Sequence, residues 1–297
     1  MDTDSVRNLR IGVLILIIAF LIGAVQNALI KSIRANYPAI VIVFIQYAFC
    51  LLILLPSLFK HGFATMKSKH VGLLMLRSMM GIGYFFGMFY ALKTVPLVDV
   101  TLLANTGPLW VPLICLLWEG VPISWRLYGG VIVGLIGVAL VLMPNDRVFS
   151  VESLFALGSG LCLGFAMVAA RWLSQTESAQ RILIYYFLTA TLATLPFAIM
   201  EWKAPTLFQW VILITNAILM LIQQQLIYLG CSRGPASQLS ITTYSSVIFS
   251  VILGWIFWKE NITLLTIAGI LLVIFGSYQV VTTKPSEQRM LLRKKLI

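Results

Sequence analysis

The sequence predicts an all-α polytopic membrane protein, ten transmembrane helices arranged as two inverted five-helix repeats. Three observations carry that prediction. The 297 residues are 60% hydrophobic and 10% charged, with a mean hydropathy of +0.97, whereas an ordinary soluble domain is charged at about a quarter of its positions. Apolar segments of roughly 17–23 residues, enough to cross about 30 Å of hydrocarbon at about 1.5 Å per residue, recur between short polar breaks. The chain also repeats itself at an offset of about 139–141 residues, too long for a soluble solenoid. An odd number of crossings per copy makes the second copy enter the bilayer from the opposite face, so a pseudo-two-fold axis lies in the membrane plane.

The spans fall at 11–30, 39–59, 71–92, 97–118 and 125–143 in the first repeat (11–143). In the second (152–282) they fall at 152–171, 182–200, 207–229, 237–257 and 263–282. Unbroken apolar runs of this length suit helices, and the alternation of a membrane barrel is missing. The copies align as LIGAVQNALIKS from Leu21 with CLGFAMVAARWL from Cys162, and as FIQYAFCLLILLP from Phe44 with IYYFLTATLATLP from Ile184. Further on, the segment from Thr94 matches that from Arg233, and GGVIVGLIGVALV from Gly129 matches AGILLVIFGSYQV from Ala268. Residues 283–297 form a basic tail, read as a juxtamembrane segment near anionic lipid. Arg7, Arg10, Lys60, Lys67, Lys69, Arg126, Arg171, Arg181, Arg233 and the tail's Lys and Arg residues fall on one side of this topology, against Lys31, Arg34, Lys93, Arg147, Lys203 and Lys259 on the other, and the positive-inside rule makes the richer side, and both termini, cytoplasmic. The net charge of +11 is thereby explained by loops and tail, and no nucleic-acid partner is implied. The lipid bilayer is the partner. Homo-oligomerisation stays open.

Polar residues within the spans come next. Span one holds Gln26 and Asn27, span two Gln46, and span four Asn105. An amide within an apolar helix is costly in lipid without a partner, so these should point inward, to other helices or to a substrate. Span three contains Arg77. Its charge either snorkels to the cytoplasmic surface or braces a neighbouring helix, or it faces a cavity, where a planar guanidinium pairs with a carboxylate or phosphate. Gly81 and Tyr84 lie on roughly the same helical face as Arg77. In span four Trp110 offers an aromatic wall, which packs or stacks a planar or cationic group. Asp99, near the outer end of span four, caps the helix or serves as a gate or coupling residue. Pro96, Pro108 and Pro112 break or bend this span. In span eight Gln223, Gln224 and Gln225 each turn about 100° from the last, so they cannot share one direction, and Gln224 is the candidate for substrate contact. Span nine offers hydroxyls from Thr242 to Ser246, including Tyr244. Glycine pairs at 130/134, 83/87 and 160/164 predict close helix packing.

Some chemistry is excluded by this inventory. Cys50, Cys115, Cys162 and Cys231 have no CxxC spacing, and His61 and His70 share one loop, so neither metal nor cofactor is expected. No GxxxxGK[ST] loop supplies nucleotide energy. An intramembrane enzyme would need a nucleophile with a base, paired carboxylates or a metal cluster at membrane depth, and the spans hold none.

The stretch from Arg77 to Pro144 carries a family resemblance: Arg77-Ser78 at the start of span three, YALKTVPLVDVTLL between spans three and four, and Glu119 ahead of a glycine-rich fifth span. The second copy repeats the crossing as GPASQLS and the acid as Glu260. In these features the chain resembles the drug/metabolite transporter superfamily, in particular its EamA branch, over about residues 11–282. It departs from the usual order where Glu119 precedes Gly120. The resemblance implies a ten-helix inner-membrane transporter with alternating access and a central cavity. Similar proteins carry amino acids, S-adenosylmethionine, riboflavin, metallophores or drugs. The expected function is therefore secondary transport of a small polar metabolite, an amino acid or its derivative. A multidrug exporter with an aromatic cavity is the alternative. The expected substrate residues are Asn27, Arg77, Tyr84, Asn105, Trp110, Gln224 and Tyr244, with Asp99 at the gate.

Overall fold

A computed structural model describes residues 3–34, 37–61, 66–91, 103–120, 124–142, 151–259 and 263–282. Asp99, Glu260 and the tail 283–297 lie outside the described residues. The helices are α1 (Thr3–Arg34), α2 (Ala39–His61), α3 (Val71–Ala91), α4 (Gly107–Glu119), α5 (Trp125–Leu142), α6 (Val151–Thr176), α7 (Ala179–Met200) and α8 (Leu207–Cys231). They continue with α9 (Ala236–Leu239), a 3-10 turn (Ser240–Tyr244), α10 (Ser245–Trp258) and α11 (Leu264–Thr282). Eight stretches among the described residues are long and apolar enough to cross a membrane, and α4 and α5 are the two shorter apolar helices that complete ten crossings.

Local chemistry sets several boundaries. Ser178 caps α7 by accepting from the Arg181 N–H, and Thr206 with Gln209 forms a capping box at the start of α8. Helix α4 ends on Gly120 in the left-handed region, its N–H donating to the Leu116 carbonyl, and α10 ends on Lys259 in the same conformation. The two caps are 139 residues apart. This explains the glycine after Glu119: Gly120 takes φ 65°, a conformation it adopts without strain.

The ninth crossing differs from the single span expected at 237–257, because a 3-10 turn interrupts it. Hydroxyls are the cause. Ser240, Thr242, Ser245 and Ser246 each donate to the carbonyl three residues earlier, which favours the tighter turn. The fourth crossing is interrupted at the matching place: residues 105–106 form a turn, and Thr106 Oγ1 donates to the Leu103 carbonyl. Helix α4 then starts at Gly107 with Pro108 in its first turn, where a missing N–H costs nothing. Helices α6 and α7 run closer together than expected, leaving only Glu177 and Ser178 between them.

Packing pairs helices across the two halves. Helix α3 packs on α6, α1 on α8, α2 on α7 and α5 on α11. The α5–α11 seam is glycine on glycine. A Cβ on Gly130 would stand 3.0 Å from the Gly276 carbonyl oxygen, and one on Gly137 would stand 2.6 Å from that of Gly269. Gly269 and Gly276 meet Gly137 and Gly130 reciprocally. Each glycine thus faces the counterpart of its neighbour, the self-complementary pattern of a two-fold contact. At the end of α8 the Cys231 carbonyl accepts from Arg171 Nη1 at 2.6 Å, which ties that terminus to α6.

Candidate functional site

Arg77 enters the bundle from α3, six residues or about 9 Å past Val71. It is 6% exposed. Its guanidinium carbon stands 4.7 Å from the centroid of the Tyr186 ring on α7 and 5.8 Å from that of Tyr228 on α8. Its Nη2 donates to Gln224 Oε1 on α8 at 3.4 Å, and Nε has no hydrogen-bond partner. None of these groups is a carboxylate. A desolvated guanidinium over an aromatic face gains about 2 kcal/mol, which stabilises the ion but leaves its charge uncompensated.

Gly81 makes this arrangement possible. A Cβ there would lie 2.7 Å from Tyr186 Cε2 and 2.9 Å from Arg77 Nη1, so only glycine lets ring and guanidinium meet beside α3. The Tyr186 hydroxyl pairs with that of Tyr47 on α2 at 3.2 Å, and Tyr47 in turn sets its ring edge-on to Phe85. Helices from both halves therefore hold one cation. The snorkelling orientation does not occur.

A cluster of amides adjoins it. Gln26 Nε2 donates to Gln223 Oε1 at 2.8 Å, and Gln46 Nε2 donates to Asn216 Oδ1 at 2.5 Å and to Gln26 Oε1 at 3.4 Å. Asn216 Nδ2 donates to the Gln26 backbone carbonyl at 3.1 Å. Gly23 gives Gln223 its room, for a Cβ there would stand 2.4 Å from the amide nitrogen. On α8 Asn216 and Gln223 lie seven residues apart on one face, and Gln224 and Tyr228 lie four apart on the adjoining face, turned about 100° from it. They form a polar column about 18 Å long beside an otherwise apolar core.

Of the residues expected from sequence, Arg77 and Gln224 meet directly. Tyr84 is half-buried on α3, its ring edge-on to Phe85 with centroids 5.1 Å apart. Trp110 donates from Nε1 to Thr106 Oγ1 at 3.2 Å and lies over Gly164 of α6. Asn105 sits in the turn of the fourth crossing, and Tyr244 ends the 3-10 turn of the ninth. These two are matched at the 139-residue offset. Tyr244 is fully buried against Gly134 of α5. Asn27 is exposed on α1, next to the buried Gln26. Gln225 is exposed as well, as the 100° rotation per residue requires.

Four residues of this region went unassigned from sequence: Asn216, Tyr47, Tyr186 and Tyr228. Asn216 is fully buried, and a lone amide in an apolar run is the same signal that marks Gln26. The repeat adds a second signal, since Asn216 stands 139 residues after Arg77. Tyrosines in an apolar helix give no such cue. Among the described residues no group of three His, Cys, Asp or Glu side chains could hold a metal ion. The polar groups gathered here are one cation and several amides.

The chain is similar to known membrane transporters. The sequence pattern of the EamA-like transporter family matches residues 10–143 and again 151–282. The pseudopaline exporter of Pseudomonas aeruginosa is 31% identical over 278 residues, 93% of this chain and 98% of that protein. The S-adenosylmethionine uptake transporter of Rickettsia bellii is 22% identical over 71% of this chain and 72% of its own length. The riboflavin transporter of Vibrio cholerae is 23% identical over 82% of this chain and 84% of its own. A solved crystal structure superposes with a TM-score of 0.79 at 19% identity, over 91% of this chain and 97% of the other, and so shares the fold.

Proposed function

The chain belongs to the EamA-like transporter family, and from that premise we propose that it carries an amino-acid-derived metabolite bearing a carboxylate, by alternating access. That it is a multi-pass membrane transporter of a small metabolite, and not an enzyme, follows from the family and from its metabolite-transporting relatives. The finer reading rests on one observation: Arg77 is buried at membrane depth, and no carboxylate is among its partners in the described residues.

An ion left uncompensated in a low-dielectric bundle is best satisfied by an opposite charge brought by the substrate. The amides of Gln26, Gln46, Asn216 and Gln223 would recognise the substrate's polar body, with Tyr84 on the face of Arg77. The two five-helix repeats, 11–143 and 152–282, are inverted in this reading, and the reciprocal glycine seam supports it. They would rock about the pseudo-two-fold axis, exposing the site to one side at a time. The breaks at 105–106 and 240–244 are the flexible points, with Asn105 and Tyr244 at the matched positions and Asp99 at the outer gate. Both termini are cytoplasmic in the inner membrane, as the distribution of Lys and Arg indicates.

Exchange in proteoliposomes tests this. Amino acids, pseudopaline, S-adenosylmethionine, riboflavin and a quaternary ammonium drug would be compared with native protein and Arg77→Ala. The reading expects exchange of carboxylate-bearing metabolites and its loss in monodisperse Arg77→Ala protein. Exchange of unrelated cations with no effect of Arg77→Ala would instead establish the multidrug alternative.

A further inference from the structure

Within the Arg77 site, the three edges of the guanidinium are not equivalent. The Nη1 end is packed beside Gly81 and Tyr186, where a single Cβ on Gly81 would crowd both. The Nη2 end meets Gln224 Oε1 at 3.4 Å, at the outer limit for a hydrogen bond. Nε has no partner among the described residues, although Arg77 is buried. A carboxylate binds a guanidinium through two parallel bonds, and Nε–H with Nη2–H is one of the edges that accepts it. Gln224 supplies one oxygen where two could bind, and it brings no charge.

We propose that Gln224 is a neutral placeholder on the Nε/Nη2 edge of Arg77, displaced when a substrate carboxylate takes both donors, and that it thereby sets selectivity for carboxylates. The proposal rests on the reading of Arg77 as a substrate group. An amide at this position suits the task for a physical reason. It satisfies one donor of the empty carrier, so the buried ion is not stripped of every partner. Its long bond, ionised at the donor alone, is readily exchanged for a bidentate pair in which both partners are charged. A glutamate in its place would close the edge with an internal ion pair. An aliphatic residue would leave the edge open.

The test follows the Arg77 Nε–H resonance of the full chain in lipid nanodiscs, with nitrogen-labelled arginine and the signal assigned by its loss in Arg77→Lys. Acetate is the probe, titrated against acetamide at constant ionic strength. In native protein the signal should move and saturate with acetate and ignore acetamide. In Gln224→Leu the midpoint should fall about threefold, the release of one long hydrogen bond from the guanidinium to an uncharged acceptor. In Gln224→Glu the signal should start at the acetate-saturated position and stay there. A native signal that moves while Gln224→Glu moves with the same midpoint overturns the placeholder and leaves Arg77 as the anion site. A signal unmoved by acetate in both native and Gln224→Leu protein overturns the Arg77 reading itself. Size-exclusion profiles separate either result from misfolding.

Discussion

Single residues in this chain are placed by what they would otherwise cost. Lys259 holds φ 53° at the end of α10, in the region where its counterpart 139 residues earlier is Gly120. A non-glycine residue there is strained by about 1 kcal/mol, so Lys259→Gly should raise stability by about 0.5–1 kcal/mol, read as a higher melting temperature in detergent. Asn216 makes the opposite case. Its side chain accepts from Gln46 and donates to the Gln26 carbonyl from a fully buried position. Asn216→Ala should cost about 1–3 kcal/mol, because the Gln46 amide keeps only its 3.4 Å bond to Gln26 and the Gln26 carbonyl loses its side-chain donor. Gln26 and Gln46 could be read as inward and partnered from the sequence, since an amide in an apolar run has few options. The aromatic box around Arg77 could not, because Tyr186 and Tyr228 are indistinguishable from lipid-facing tyrosines until α7 and α8 are packed against α3.

Connections between elements carry a second kind of information. The short link between α6 and α7 presents Glu177, whose side chain is 3% exposed and accepts from Ser68 Oγ of the α2–α3 connection and from Arg181. Tyr185 reinforces the same contact by donating to the Met66 carbonyl at 3.1 Å. Across the fold, the Tyr37 hydroxyl donates to the Lys203 carbonyl at 2.6 Å and ties the α1–α2 connection to the α7–α8 connection. Burial pushes the Glu177 carboxyl up, but the Ser68 and Arg181 hydrogen bonds, with the charges of Arg181 and His70, outweigh it and hold the group below the usual glutamate range. A carboxyl depressed in the folded state contributes stability above its unfolded value of about 4.3, and that contribution is lost as pH falls through the folded value. Unfolding temperature should therefore drop in acid for native protein. In Glu177→Gln it should start lower and show a shallower acid decline, and equal slopes would remove Glu177 as the cause. The ten apolar segments were legible from their length alone, while the extra turns of α6 and the break at 240–244 were not. Those depend on hydroxyls satisfying carbonyls locally, which hydropathy does not register.

The whole molecule is held by contacts that the duplication makes reciprocal, and the α5–α11 seam shows how far this goes. Gly137 faces Gly269 and Gly130 faces Gly276, with each hypothetical Cβ within 2.5–3.0 Å of a carbonyl oxygen across the seam. Backbone cannot yield as a flexible side chain does, so Gly137→Ala and Gly269→Ala should each push the helices apart and cost about 1–3 kcal/mol. Gly129 is the control. It lies on the same helix with nothing within 4 Å of its hypothetical Cβ, so Gly129→Ala should be neutral or gain about 0.5–1 kcal/mol from helix propensity. Facing residues that share one gap are coupled, so Gly137→Ala/Gly269→Ala should cost less than the sum of its parts, the first methyl having already widened the seam. Gly137→Ala/Gly129→Ala should be additive to within about 0.5 kcal/mol, since the two point to different surroundings. Thermal unfolding of native protein and the five variants in one detergent gives the coupling directly. Strict additivity for the facing pair would mean that the helices do not bear on each other through these glycines, and the support they lend to an inverted repeat would fall with it.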